Sequence, residues 1–144
     1  MDRTKIYISA IKSSTAIKNM IDNRPDFVQC KNIEHFYINI VQKLEEMFFN
    51  KLIINSWFRN KELNELVGGS KNSSHLKGQA IDFYIENTDI EKVFKNISDN
   101  GNIIFHKMIL YKKRGFIHIG WNYDLDKINA RILYKKFKNG YEKY

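Results

Sequence analysis

Proline occurs once in the 144 residues, at Pro25, and cysteine once, at Cys30. A lone cysteine excludes an internal disulfide framework and carries no information about compartment. Cys30 follows Val28 and Gln29 near an expected helix start, where it reads as a packed thiol and not as a nucleophile or metal ligand. With no repeats and no low-complexity linker, nothing marks a boundary, so residues 1–144 are expected to form one domain. No apolar run is long enough to span a bilayer, and the opening MDRTKIYISAIK lacks the apolar core of a secretory signal. Synthesis in the cytoplasm is therefore expected, with lysis, a carrier particle or a non-classical route needed for any action outside it. Acid is also scarce: 24 Lys and Arg against 16 Asp and Glu leave a formal charge of +8. Such a surface favours polyanions, but lysines spread along a chain are ordinarily just solvated, and AT-rich codons supply Lys, Asn and Ile together. No nucleic-acid-binding motif or dense basic cluster stands out, so no specific nucleic-acid partner is expected.

What the chain does have is bulk. Hydrophobic residues make up 43%, with ten Phe, eight Tyr and two Trp, enough for one core without crosslinks. Residues 9–20 fit a short helix with Ile11, Ala16 and Ile17 inward, and the segment 21–27 reads as a loop around Asn23 and Pro25. The clearest helical spacing covers 32–48, through Ile33, Phe36, Tyr37, Ile40, Val41, Leu44 and Phe48. A β-prone run follows at 51–57, then a short helix from the cap Asn60 to Val67, ended by Gly68-Gly69-Ser70. Gln79 to Ile85 alternates as a strand, with Ile81, Phe83 and Ile85 on one face and Ala80, Asp82 and Tyr84 on the other. Residues 89–99 fit a helix, 103–110 and 115–121 a hairpin across Tyr111-Lys-Lys-Arg114, and 131–137 a last strand. Helices in front of a mainly antiparallel sheet give an α+β fold.

The chemistry concentrates in Ser73-Ser-His75-Leu-Lys-Gly78-Gln-Ala80-Ile-Asp82 and, later, Phe116-Ile-His118-Ile-Gly-Trp121. Asp82 lies on the strand face opposite the large apolar residues. His75 precedes that strand in a loop that Gly78 lets turn back. Ile117, Ile119 and Trp121 share one face, which leaves His118 on the other. If the two strands are neighbours, two imidazoles and a carboxylate converge, the three-ligand pattern of a catalytic zinc site with an open fourth position. Taken singly, Asp82 also reads as a buried partner for a cation and His118 as a satisfied core histidine. The order and phase of the whole set are harder to explain structurally.

The pattern S-x-H-x-x-G-x-A-x-D with a distal histidine resembles peptidase family M15, the zinc D-Ala-D-Ala carboxypeptidases and L-alanyl-D-glutamate endopeptidases, especially their small, often phage-encoded branch. The likeness extends over nearly the whole chain. Ser13-Ser-Thr-Ala16, Ile21-Asp-Asn23, Asn55-Ser-Trp-Phe-Arg59, Asn64, Val67-Gly-Gly-Ser70, Phe105-x-x-Met-Ile109 and Phe116-Ile-His-Ile119 resemble successive family segments. The resemblance implies a fold like that of the DD-peptidases and the Hedgehog signalling domain, one Zn2+ held by His75, Asp82 and His118, and substrate contacts from Arg59. A guanidinium suits that task, because it presents a rigid, permanently charged fork to carboxylate oxygens. Ser73 is expected to hydrogen-bond within the site loop, whether to orient the ligands or simply to cap the loop. The implied reaction is zinc-assisted hydrolysis of an amide in peptidoglycan stem peptides.

One family feature is absent. Family members usually carry an acid shortly before the distal histidine, whereas Gly101 to Tyr123 contains no Asp or Glu. The acid's position falls at Tyr111 or Lys112, and Gly115 is the third residue before His118. His106 is the candidate general base, since an unperturbed imidazole changes charge near neutral pH, and an exposed strand histidine is its alternative reading. Glu86 and Asp124 are acids that could reach the cleft from elsewhere. Two expectations follow: a cell-wall peptidase acting after lysis or delivery, or a degenerate zinc-binding relative serving as a wall-binding or structural component, for example among the proteins of a phage particle.

Overall fold

The computed structural model describes residues 2–49, 51–121, 132–137 and 140–143. Two short helices come first, α1 (Arg3–Ile11) and α2 (Ser14–Lys18), where the apolar spacing suggested one helix over 9–20. Lys12 and Ser13 adopt extended backbone, and the Ser13 hydroxyl accepts from Ala16 N at 3.1 Å. That cap starts a new helix and turns its axis, so Ala16 is buried while Ile17, expected inward, is 76% exposed.

The principal helical stretch starts at Phe27 and not at 32, because Asp26 and Gln29 form a reciprocal capping box just after Pro25. It runs as α3 (Phe27–Phe36), one wide π-type turn (Tyr37–Val41) and α4 (Gln42–Met47). With the wide turn in place, Phe36, Ile40, Val41 and Leu44 are all buried.

Behind the helices lies a six-stranded sheet: β1 (Leu52–Ser56), β2 (Ala80–Ile85), β3 (Lys107–Tyr111), β4 (Phe116–Gly120), β5 (Ile132–Phe137) and β6 (Gly140–Lys143). Its order is β1-β2-β4-β3-β5-β6, antiparallel throughout except for the parallel pair β3–β5. The hairpin expected over 103–110 and 115–121 is shorter, although Ile103 and Phe105 are buried ahead of β3. Helix α5 (Lys61–Leu66), capped by Asn60, follows β1, and α6 (Ile90–Asp99), capped by Asp89, packs against β2, β3 and β4.

The pleat divides the sheet's labour. Ile81, Phe83, Met108, Leu110, Ile117 and Ile119 join Val93, Phe94 and Ile97 of α6 in the core. Ala80, Asp82, Ile109, Tyr111, Phe116 and His118 occupy the alternate positions. Fully burying a large apolar side chain is worth about 1.5–3 kcal/mol. Ile81, Phe83, Ile117 and Ile119 together therefore hold the β2–β4 register with a gain on the order of 6–12 kcal/mol.

Candidate metal centre

His75 sits in a 3-10 turn (Ser74–Lys77) between β1 and β2. The Ser73 hydroxyl caps this turn, accepting from His75 N at 3.3 Å, and Gly78 ends it in the left-handed region at φ 73°. A Cβ at Gly78 would stand 2.5 Å from Cγ1 of Ile33 on α3, so the turn needs glycine for both conformation and space. The segment after β1 holds the turn from the other side. Arg59 N donates to His75 O at 3.1 Å, and Trp57 Nε1 donates to Gly78 O at 2.9 Å.

The His75 ring is only 1% exposed, and its Nδ1 lies 2.6 Å from Trp57 O. A carbonyl can only accept, so Nδ1 carries the proton and Nε2 presents a lone pair. That lone pair faces Asp82 Oδ1 at 3.3 Å and His118 Nδ1 at 3.3 Å, while His118 Nδ1 and Asp82 Oδ1 are 2.8 Å apart. Asp82 and His118 are direct partners in the β2–β4 ladder, so the register itself brings them together. Among the described residues, His75, Asp82 and His118 form the one group of three or more ligand-type side chains able to share a metal ion.

The electrostatics favour the ligand forms. Burial pushes the His75 imidazole down, against the pull of Asp82, so the ring stays neutral. Burial alone would raise the Asp82 carboxyl, but the hydrogen bond it accepts from His118 Nδ1 leads the influences that outweigh it and hold the group well below the usual carboxylate range.

The three side chains line a cavity of about 340 Å³, which Arg59, Ser73, Lys107, Tyr111 and Arg114 also line. A neighbouring cavity of about 430 Å³ extends towards Lys12 and Ser13 and shares Arg59, Asp82, Arg114 and Phe116 with the first. The match to known families completes this picture, since residues 7–120 fit the family model described as Peptidase M15. The chain belongs to the peptidase M15 family. No curated protein and no solved structure matches it.

The remaining residues singled out in this M15 sequence fall in different places. Arg59 lines both cavities, and burial lowers its guanidinium against the attraction of Asp82 and Tyr111. Its Nε is buried without a hydrogen-bond partner among the described residues. His106 is not among the residues lining either cavity. It shares the strand phase of Met108 and Leu110, which face the core, while Lys107, Ile109 and Tyr111 face the cleft. Glu86 is exposed beyond the end of β2, and Asp124 lies outside the described residues. Of the two positions expected for the family acid, Tyr111 lines the same cavity as His75, Asp82 and His118, whereas Lys112 pairs with Glu91 at 2.8 Å. Trp57 was missed as a site residue. It acts through its backbone carbonyl, which side-chain chemistry does not advertise.

Proposed function

We propose that this M15 chain is a single-domain, zinc-dependent peptidase that hydrolyses an amide bond in peptidoglycan stem peptides. The observation that carries the proposal is the convergence of His75 Nε2, Asp82 Oδ1 and His118 Nδ1 in a cleft that also holds Arg59. Donors at the usual 2.0–2.2 Å from one tetrahedral zinc lie about 3.3–3.6 Å from one another. Two of the three separations here are 3.3 Å and the third is 2.8 Å, so the set fits with little movement. Two imidazoles and one carboxylate are a zinc donor set, and they would hold the ion at the wall of a cavity that substrate can enter.

Zinc held there supplies Lewis acidity, polarising an amide carbonyl and making water acidic enough to serve as a nucleophile near neutral pH. The protein's own groups do the rest. Trp57 O fixes the His75 tautomer, Ser73 holds the turn beneath it, and Arg59, which lines the cleft, offers its charge to a substrate carboxylate or carbonyl oxygen. No helix of the described residues is long and apolar enough to cross a membrane. Delivery to a cell wall by lysis or a phage particle is part of the proposal.

One observation favours a second reading, a catalytically degenerate zinc protein that binds the wall or builds a particle. Asp82 is the only carboxylate among the described residues lining the two cavities, and it is hydrogen-bonded by His118 and close to His75. A missing general base ordinarily lowers rates by about 10²–10⁴-fold. The test measures bound zinc by elemental analysis and soluble fragments released from purified walls by chromatography. The peptidase reading expects one zinc per chain and fragment release, both lost in His118→Ala. A fully zinc-loaded protein that releases nothing from any wall preparation refutes it and leaves the binding role.

A further inference from the structure

The cleft is strongly unbalanced in charge. Lys12, Arg59, Lys107 and Arg114 line its two cavities, against the single carboxylate of Asp82. Arg59 is accounted for by the peptidase reading, but Arg114 is not. Like Arg59 and Asp82, it lines both cavities.

The surroundings of Arg114 suit it to a ligand and not to an internal ion pair. It belongs to the 3-10 turn (Lys112–Arg114) between β3 and β4. Glu91 is taken by Lys112 of the same turn, and Arg114 has no carboxylate partner among the described residues. Its Cζ lies 5.0 Å from the centre of the Phe116 ring, and Phe116 stacks on Tyr111 at 4.6 Å and 19°. Phe116, two residues from His118, thus meets both the Arg114 guanidinium and the Tyr111 ring. A guanidinium laid on an aromatic face keeps its edge donors free, and those donors match carboxylate oxygens as a fork.

We propose that Arg114 is a second anion-reading residue, so that the preferred ligand is a peptide with two carboxylates, one held by Arg59 and the other by Arg114. The proposal rests on the peptidase reading for which bond lies between the two anions, but not for the binding itself. Neutral peptides fit the same space and leave both cations without partners. A cleft with this charge excess also draws dianions in faster than neutral ligands.

The experiment is isothermal titration of the zinc-loaded protein with an N-acetylated tetrapeptide carrying a mid-chain glutamate and a free C-terminal carboxylate. Its two mono-amides are titrated in parallel, and hydrolysis is followed by mass spectrometry. Wild type is expected to bind the dicarboxylate about tenfold more tightly than either mono-amide, in line with an exposed charge-assisted pair. Arg114→Gln should abolish discrimination at one carboxylate and keep it at the other, Arg59→Gln should show the reverse, and Arg114→Lys should restore part of the loss. Equal discrimination by wild type and Arg114→Gln overturns the proposal, whether or not peptides are cut. Intact discrimination with no cleavage anywhere supports the clamp and counts against the peptidase reading alone.

Discussion

At position 78 an alanine meets two obstacles, the left-handed backbone at φ 73° and the Ile33 side chain 2.5 Å from the new Cβ. Gly115 has the same backbone constraint, φ 71°, with nothing within 4 Å. Gly78→Ala should therefore lower stability by about 2–4 kcal/mol, from roughly 1 of backbone strain and 1–3 of overpacking, and Gly115→Ala by only about 1. Urea midpoints of the two variants check this, and equal losses would remove Ile33 from the explanation. Asp82→Asn keeps the shape of the site but removes its one anionic donor. Zinc affinity, measured by competition with a chelating dye, should fall by at least the 10–100-fold that loss of a mere orienting partner costs. At this scale much was readable in advance: the strand phase of Asp82 and His118, the turn-forming Gly78 and the arginine in the cleft. The Trp57 carbonyl was not, because backbone atoms are common to all residues. Nor was the choice of Tyr111 over Lys112 as the side chain lining the cavity of His75, Asp82 and His118, which depends on where β3 ends and the 3-10 turn begins.

Between α1 and α3 the decisive contact is a hydrogen bond from the Tyr7 hydroxyl to the buried Glu34 carboxylate, which also meets Arg3 at 3.4 Å and Lys31 at 3.5 Å. Burial, then the Glu34 bond and charge, push the Tyr7 phenol up to about 12, while the Tyr7 bond is the largest influence holding Glu34 below its ordinary value. A raised folded-state pKa stabilises fully below the unfolded value near 10 and loses that contribution as pH rises towards 12. Urea midpoints should accordingly fall more steeply from pH 10 to 12 in wild type than in Tyr7→Phe, which has no phenol there to titrate. Element boundaries were the least legible feature. Ile11, Ala16 and Ile17 satisfy the spacing of one helix, and only the capping role of Ser13 betrays the break. The start of α3 was recorded in the Asp26–Gln29 pair, a polar signal lying outside the apolar repeat. Strand β6 is four residues long and begins at Gly140, too short for alternation to speak.

For the molecule as a whole, a metal held by the folded form alone is a stabiliser. Zinc at a hundredfold excess over its dissociation constant should add about 2.7 kcal/mol, seen by calorimetry as a raised melting temperature that His118→Ala does not share. The α+β class was legible because helical and alternating periods are well separated along the chain. The strand order was not, since β5 reaches β3 in parallel and only the assembled sheet reveals that. The pairing of Asp82 with His118 across β2 and β4 carries one more consequence. Slipping β4 by a single residue would drive the imidazole inward and turn isoleucines 117 and 119 out towards the cleft. The three-residue cluster therefore cannot be half-built: a chain that has threaded its middle strands wrongly loses the approach of Asp82 to His118. On the zinc reading proposed above, metal uptake would report correct sheet assembly, because only the native register of β2 and β4 brings Asp82 and His118 together.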